Sequence, residues 1–349
     1  MAFAKRMQLG RRGLTLVELL MVISIMTILL VIAVPLMRPA FQDRYVREAA
    51  RMVSAYFSGA QRRAAELGRP VGVWIERLDG TELGARHAVR LYMAEVPPSF
   101  SGAQLNSRVR VAASGTVGTL QFVVVDAFGN VEADLNGAVV LSTVLAVGDP
   151  FTIKFDHKGY EYVGRRTASD FEVKIPWGVP PGADVSGGGV PYEITLAPTR
   201  SAVNPLVLPA DAVIDLSLSG TTSRRELDPV TTGDATPVVI VFAPSGGVDC
   251  IYLSGDQQPL PSPLHLLIGR KARVVNPQAT TVWSPELTNL GDPTCLWVTV
   301  SNRTGAVITS DNLDTSFIAP ATLPARLTPS ERIKAAREFA RSSVQKGGR

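Results

Sequence analysis

The sequence predicts an α+β fold. A long N-terminal helix, with a transmembrane half and an amphipathic half, packs on an extended, mostly antiparallel β head, and a short C-terminal helix follows. Three observations predict this arrangement. An apolar run follows a basic leader, apolar residues then recur at steps of three and four, and short strands bounded by turn residues fill most of the remainder.

The charge of the chain is concentrated at its ends. The net charge of +4 equals the contribution of residues 1–13, which hold Lys5, Arg6, Arg11 and Arg12 and no acidic residue. The remainder is formally neutral, and its basic C-terminal segment leaves a mildly acidic body. Such a body lacks the basic footprint of a nucleic-acid-binding domain, so we expect no nucleic-acid partner.

The apolar run predicts a transmembrane helix over residues 14–37. A helix of this length would reach ~36 Å, more than the ~30 Å hydrocarbon core of a bilayer. The basic leader favours a cytoplasmic N-terminus and a head outside the cytoplasm, as in a single-pass protein of the inner membrane. A carboxylate within such a run costs ~2.5–3.5 kcal/mol, so Glu18 is expected to have a partner.

Residues 13–20 (GLTLVELL) resemble the cleavage and methylation motif of type IV prepilins and type II secretion pseudopilins. The resemblance implies that a prepilin peptidase removes residues 1–13 by cutting between Gly13 and Leu14, and that Leu14 is then N-methylated. Leu14 stands where phenylalanine is commonest in that family. Glu18 and Pro35 match the family's glutamate and proline positions. The resemblance implies that Glu18 pairs with the freed amine of a neighbouring subunit during filament assembly.

Residues 38–68 are predicted to continue the helix in amphipathic form. Pro35 is expected to kink it, because proline lacks the amide hydrogen and clashes with the preceding turn. Gly68 and Pro70 end it. The predicted apolar stripe, which should pack on the head, comprises Phe41, Tyr45, Ala49, Met52, Tyr56, Ala60, Ala64 and Leu67.

Residues 69–325 are predicted to form the β-rich head. Its first two strands, 71–76 and 87–94, are expected to pair as a hairpin, and short strands follow, among them 138–145, 248–253 and 296–300. No helix is expected between them. The Pro- and Gly-rich segment 176–192 is interpreted as a hinge.

Three tracts, residues 49–76, 238–246 and 296–307, resemble the GspH/FimT-type branch of the pilin family. Heads of that branch are normally much smaller. The resemblance therefore implies that residues 77–235 are an elaboration of this one.

Cys250 and Cys295 leave two alternatives open. Outside the cytoplasm thiols tend to oxidise, so neighbouring strands would allow a disulfide. The other alternative is two buried free thiols.

Residues 326–349 are predicted to form a basic C-terminal helix and tail. Thr328 or Ser330 could cap the helix, with Glu331 in its first turn. Its narrow apolar stripe comprises Ile333, Ala336, Phe339 and Ala340. The helix could dock on the head or a partner, lie on anionic lipid, or remain a solvated basic helix.

The sequence carries no recognisable catalytic or metal-binding constellation. His87, His157 and His265 lie apart, with no nucleophile motif or ligand partner, and the common hydrolase, nucleotide-binding and zinc motifs are missing. The sequence therefore predicts a protein that is not an enzyme and needs neither cofactor nor metal.

These observations predict a minor pseudopilin or pilin-like structural subunit of a type II secretion or type IV pilus-like filament. Its expected partners are a prepilin peptidase, other pilins or pseudopilins, an inner-membrane assembly platform and the lipid bilayer. The alternative is a membrane-anchored extracytoplasmic binding module that recognises a substrate, a surface or an exoprotein.

Overall fold

A computed structural model of the chain describes residues 16–221, 225–229, 231, 233–279, 284, 287–313 and 328–346, without the side chains of 32–42, 329 and 343–346. Its α-helices are α1 (Leu16–Leu67), α2 (Leu135–Val144) and α3 (Pro329–Lys346). The strands are β1 (Val71–Arg77), β2 (His87–Glu95), β3 (Ser107–Ser114), β4 (Val117–Val125), β5 (Val131–Ala133), β6 (Pro150–Phe155), β7 (Glu161–Arg166), β8 (Phe171–Lys174), β9 (Tyr192–Leu196), β10 (Thr199–Arg200), β11 (Leu206–Val207), β12 (Ala212–Gly220), β13 (Val238–Phe242), β14 (Val248–Leu253), β15 (Asp256–Gln258), β16 (Leu264–Arg270), β17 (Leu296–Val300) and β18 (Val307–Asp311).

The chain divides into two compact units, Met1–Arg44 and Tyr45–Arg349. The described part of the first unit is the N-terminal portion of α1. The second unit contains the remainder of α1, both β-sheets and the two shorter α-helices.

The predicted transmembrane half of the long helix is wrong, and with it the predicted fold class. No helix in the described part of the chain is both long enough and apolar enough to cross a membrane. A spanning helix needs ~20 consecutive, predominantly apolar residues. The described segment 16–31 includes the charged Glu18.

Two antiparallel sheets make up the second unit. The first sheet has eleven strands in the order β15-β14-β13-β1-β2-β12-β16-β17-β18, with β10 and β11 also paired to β2. The second has seven, in the order β3-β4-β8-β7-β6-β9, with β5 paired to β4. The predicted pairing of the first two strands is confirmed, with Trp74 opposite Tyr92. The second sheet lies within the stretch that the sequence marks as an elaboration.

One face of α1 forms the core of the second unit with the first sheet. Phe57 meets Phe242 of β13 edge to face, with ring centroids 6.3 Å apart. Ala49, Ala60 and Ala64 of the predicted stripe are buried, but Val46, Val53 and Phe57 enter the core in place of Tyr45, Met52 and Tyr56. Tyr56 donates its hydroxyl proton to the Asn204 carbonyl (3.0 Å). The buried helix residues are Val46, Ala49, Ala50, Val53, Phe57, Ala60 and Ala64.

The turns after β13 and β17 meet at α1. Gln61 Nε2 donates to the carbonyls of Gly246 (3.0 Å) and Thr304 (2.6 Å). Gly305 has φ +64°, and a Cβ there would lie 2.0 Å from the Gly246 carbonyl oxygen, so only glycine fits. Two of the three tracts that resemble the GspH/FimT branch thus come together on the helix.

The strand predicted over residues 138–145 is wrong, because these residues lie in or directly after α2. Asp134 caps this helix by accepting a hydrogen bond from the Gly137 amide (2.8 Å). Ser142 and Thr143 donate their hydroxyl protons to carbonyls three residues earlier, each at 2.7 Å. A short β-branched apolar run does not reveal by its periodicity whether it is helix or strand.

The segment 176–192 connects β8 to β9, two strands of the second sheet. The segment lies alongside the edge strand β3. Val109 of β3 and Val190 of the segment exchange backbone hydrogen bonds of 2.9 and 3.0 Å. The Val111 amide also donates to the Ala183 carbonyl (2.7 Å). Hinge motion in this segment stays a prediction.

The C-terminal helix α3 docks on the first sheet. Thr328 and Glu331 form a reciprocal cap, in which each backbone amide donates to the other side chain at 2.8 and 3.3 Å. The predicted apolar stripe needs correction at Phe339, which is 39% exposed, whereas Arg337 is buried. Ile333, Ala336 and Ala340 pack with Trp297 and Leu267.

Candidate functional sites

The predicted processing site lies outside the described residues, because Gly13 and Leu14 precede Leu16. Glu18 lies in the first turn of α1 and is exposed. A carboxylate there interacts favourably with the partial positive charge of a helix N-terminus. Pro35 lies within α1 where side chains are not described, so its kink stays a prediction.

Apolar side chains cover the helix segment 16–31, which we call the N-terminal apolar surface. Their exposed fractions run from 48% at Ile25 to 80% at Leu16. The polar hydroxyls of Ser24 and Thr27 are turned back onto the helix, where they donate to carbonyls four residues earlier at 2.8 and 2.7 Å. This leaves Glu18 as the charged group of a surface that is otherwise apolar. Apolar patches of this kind mark interaction sites.

The two cysteines are free and buried, and no disulfide joins them. Cys250 packs with Val239, Val241 and Tyr252, whereas Cys295 packs in a separate cluster beside Trp297 and α3. Burial raises the pKa of both thiols above the usual range, so neither has the thiolate character of a reactive cysteine. Of the two alternatives, the structure has the buried free thiols.

Buried polar groups cluster on the face of the first sheet that α3 covers. Asp215 accepts hydrogen bonds from Asn289 Nδ2 (2.8 Å) and the Ser217 amide (3.1 Å), and burial raises the pKa of Asp215 to about 6. Arg337 donates to the Leu218 carbonyl (2.6 Å) and lies over the Trp297 ring at 5.6 Å.

The hydrogen bonds of Asp215 and Arg337 hold α3 and the neighbouring loops against the first sheet. In the described part of the chain, no group of three or more histidine, cysteine, aspartate or glutamate side chains is placed to hold a metal ion.

A cleft of about 410 Å³ lies between the two sheets. Trp74 and Tyr252 line its wall on the first sheet, and Val144 and Leu196 line the opposite wall. An ion pair between Arg165 and Asp256 (3.5 Å) links the sheets near the cleft. The size and apolar lining suit a small apolar ligand or the side chains of a partner.

Sequence reasoning missed this cleft. Trp74 lies in a predicted strand, but the alternation of apolar and polar residues along that strand does not show that a second sheet faces Trp74. Leu196 and the residues after α2 reach the cleft through long-range packing.

The chain matches no protein-family model, no curated protein and no solved structure.

Proposed function

We propose that this chain is a pilin-like or pseudopilin-like subunit, cut between Gly13 and Leu14, that enters a filament through α1. The observation that carries the proposal is the N-terminal apolar surface. It begins within the motif at 13–20 and stays exposed over residues 16–31. A protein that leaves so many large apolar side chains on one helix needs neighbours to cover them.

Identical helices packed side by side would supply that cover. Removing apolar surface from water contributes ~25 cal/mol per Å², so several such side chains together provide a strong drive for association. Glu18 would then lie in an apolar interface, where a carboxylate needs a charged partner. The α-amino group freed at Leu14 of an adjacent subunit is such a partner, because Leu14 precedes Glu18 by four residues in the sequence.

The architecture of the second unit is consistent with this role. The C-terminal part of α1 packs on an antiparallel sheet, and the two head tracts that resemble the GspH/FimT branch meet at Gln61. In this role the head lies outside the cytoplasm. The partners are a prepilin peptidase, other pilins or pseudopilins, and the assembly platform of a type II secretion or type IV pilus-like machine.

Mass spectrometry of the N-terminus tests the processing step. The full chain, produced with a prepilin peptidase, is expected to begin at Leu14 and to carry one added methyl group. Gly13→Val should abolish the cut, whereas Gly10→Val in the same leader should leave it intact. A chain that keeps Met1, or that is cut near residue 38, would contradict the proposal.

Replacement of Glu18 tests the assembly step. Glu18→Ala is expected to be processed normally but to enter filaments more than a hundredfold less efficiently, because loss of one partner of a buried pair costs ~3–5 kcal/mol. Glu48→Ala removes an exposed carboxylate farther along α1 and should assemble like the parent chain. Normal incorporation of Glu18→Ala, measured by immunoblotting of sheared filaments, would refute the pairing.

An extracytoplasmic binding module is the second candidate function. The cleft of about 410 Å³ between the sheets favours it. Binding of an exoprotein or polysaccharide that persists after removal of residues 1–40 would assign the function to the head. Binding that is lost unless the subunits assemble through α1 would assign it to the filament.

A further inference from the structure

One end of the second sheet contains a polar cavity of about 370 Å³. Its lining includes Gly102, Gln104, Ser107, His157 and Tyr192. These side chains come from the loop before β3, the turn between β6 and β7, and the start of β9. The cavity is therefore built from segments that only the folded sheet brings together.

Tyr192 places at this cavity a hydroxyl that has no hydrogen-bond partner in the described part of the chain. Its ring is 1% exposed and is held between Phe122 and Phe100, with centroid distances of 5.4 and 6.3 Å. The hydroxyl oxygen is buried and makes no hydrogen bond to any described residue. A buried polar atom of this kind costs ~1–3 kcal/mol, which a bound ligand group could recover.

The surroundings of that hydroxyl are kept open and polar. Gly102 has φ +108°, and a Cβ there would lie 3.3 Å from the Tyr192 hydroxyl and 2.2 Å from Ser107 Cβ, so a larger residue would fill the space. Ser107 Oγ donates to the buried Asp134 carboxylate (2.8 Å) and accepts from the Gln104 amide (3.1 Å). These hydrogen bonds hold the polar wall of the cavity in place in the absence of a ligand.

An exposed aromatic pair lies at the same end of the sheet. Tyr160 and Trp177 are 69% and 73% exposed, and their ring centroids are 5.1 Å apart. Tyr160 shares the β6–β7 turn with His157 of the cavity wall, so the two Cα atoms are at most ~11 Å apart. A ligand of a few rings can thus reach both the aromatic pair and the cavity.

We propose that this end of the second sheet binds a neutral oligosaccharide. A sugar ring offers a face of C–H groups, which suits the electron-rich face of an aromatic ring, and a rim of hydroxyls, which suits the polar cavity and Tyr192. The charges nearby are paired and of both signs, as in Lys154–Glu161 at 2.7 Å and Lys158–Asp156 at 3.4 Å. A single-stranded nucleic acid would instead need a positively charged groove beside the aromatic rings.

Calorimetric titration of the full chain with maltohexaose, cellohexaose, xylohexaose and chitohexaose tests the proposal. At least one hexaose should bind. Trp177→Ala and Tyr160→Ala should each weaken that binding at least tenfold, by the loss of stacking. Tyr192→Phe removes only the hydroxyl, which has no hydrogen-bond partner among the described residues, so it should weaken binding by roughly fivefold and leave the circular dichroism spectrum unchanged.

Phe339→Ala is the matched control, because it removes a part-exposed aromatic side chain from α3 on the other sheet, and it should bind like the parent chain. Binding of none of the four sugars at millimolar concentration would overturn the proposal. So would full affinity in both Trp177→Ala and Tyr192→Phe. Salt-sensitive binding of an oligodeoxythymidine in place of every sugar would assign the site to nucleic acid instead.

Discussion

The two sheets of the head differ in how much of each is covered. The strands β12, β13 and β16 of the first sheet are buried along their whole length, because α1 packs on one face while α3 and loops cover other parts of the sheet. In the second sheet β8 and β9 alternate between buried and more exposed residues. Sheets covered on both faces have near-continuous apolar strands, whereas sheets covered on one face alternate.

From this difference we expect the first sheet to contribute mainly to stability and the second sheet mainly to binding. The first sheet contributes the larger share of the core, and Arg337 of α3, which is buried against it, donates to a backbone carbonyl of β12. The second sheet has a smaller core and carries the polar cavity, the exposed aromatic pair and one wall of the cleft. Variants in the first sheet should therefore change global unfolding, and variants in the second should act locally.

The largest effect is expected for Phe57→Ala. This change empties a fully buried site between α1 and β13, and should lower the free energy of unfolding by ~3–5 kcal/mol in a urea titration. Phe128→Ala is the control, because Phe128 is 91% exposed, and its effect should be under ~0.5 kcal/mol. Equal effects of the two changes would show that α1 does not stabilise the first sheet.

An intermediate effect is expected in the pH dependence of stability at His265. Burial, followed by Arg337 and Arg341, lowers the pKa of His265 to about 3. The unfolded chain therefore takes up a proton near pH 6.5 that the folded chain does not, so the stability that the neutral histidine provides is present above pH 6.5 and is lost as pH falls toward 3.

The parent chain should lose about 2 kcal/mol between pH 7 and pH 5 from this group, and His265→Gln should remove that loss. Asp215 acts in the opposite sense, because its raised pKa favours folding as pH falls from 6 to 4. The measurement is thus the difference between the two proteins in urea titrations across pH 4–7. An identical slope in both would show that His265 is charged in the folded state.

The smallest effect is expected for Asp134→Ala in the second sheet. Asp134 caps α2 and holds Ser107 at the polar cavity, and loss of a helix cap typically costs ~1 kcal/mol. Hydrogen exchange should show faster exchange in α2 and at the start of β3, with the first sheet unchanged. Glu132→Ala removes a nearby exposed carboxylate and serves as the control; faster exchange throughout the first sheet in Asp134→Ala would abolish the distinction between the sheets.

Local pattern was sufficient for most strands. The predicted strands at 248–253 and 296–300 have the bounds of β14 and β17, because β-branched and aromatic residues stand there between turn residues. The short strands β5, β10, β11 and β15 were not predicted, since two or three residues carry no measurable alternation. The strand predicted at 138–145 is wrong for a related reason. The apolar run does not distinguish a strand from a helix, and the signal for a helix is the cap at Asp134, which precedes the run.

The sequence by itself determined the motif at 13–20 with Glu18 in it, the amphipathic character of α1, most strand positions and the cap of α3, since each depends on residues close together along the chain. Only the tertiary structure decided which face of α1 is buried, that the two cysteines stay apart, that Arg337 rather than Phe339 enters the core, and that Tyr192 meets a polar cavity. These depend on contacts between residues far apart in sequence, where packing and desolvation choose among local patterns that are equally acceptable. The N-terminal apolar surface depends on both the sequence and the tertiary structure, because the sequence supplies its apolar residues and the structure leaves them exposed.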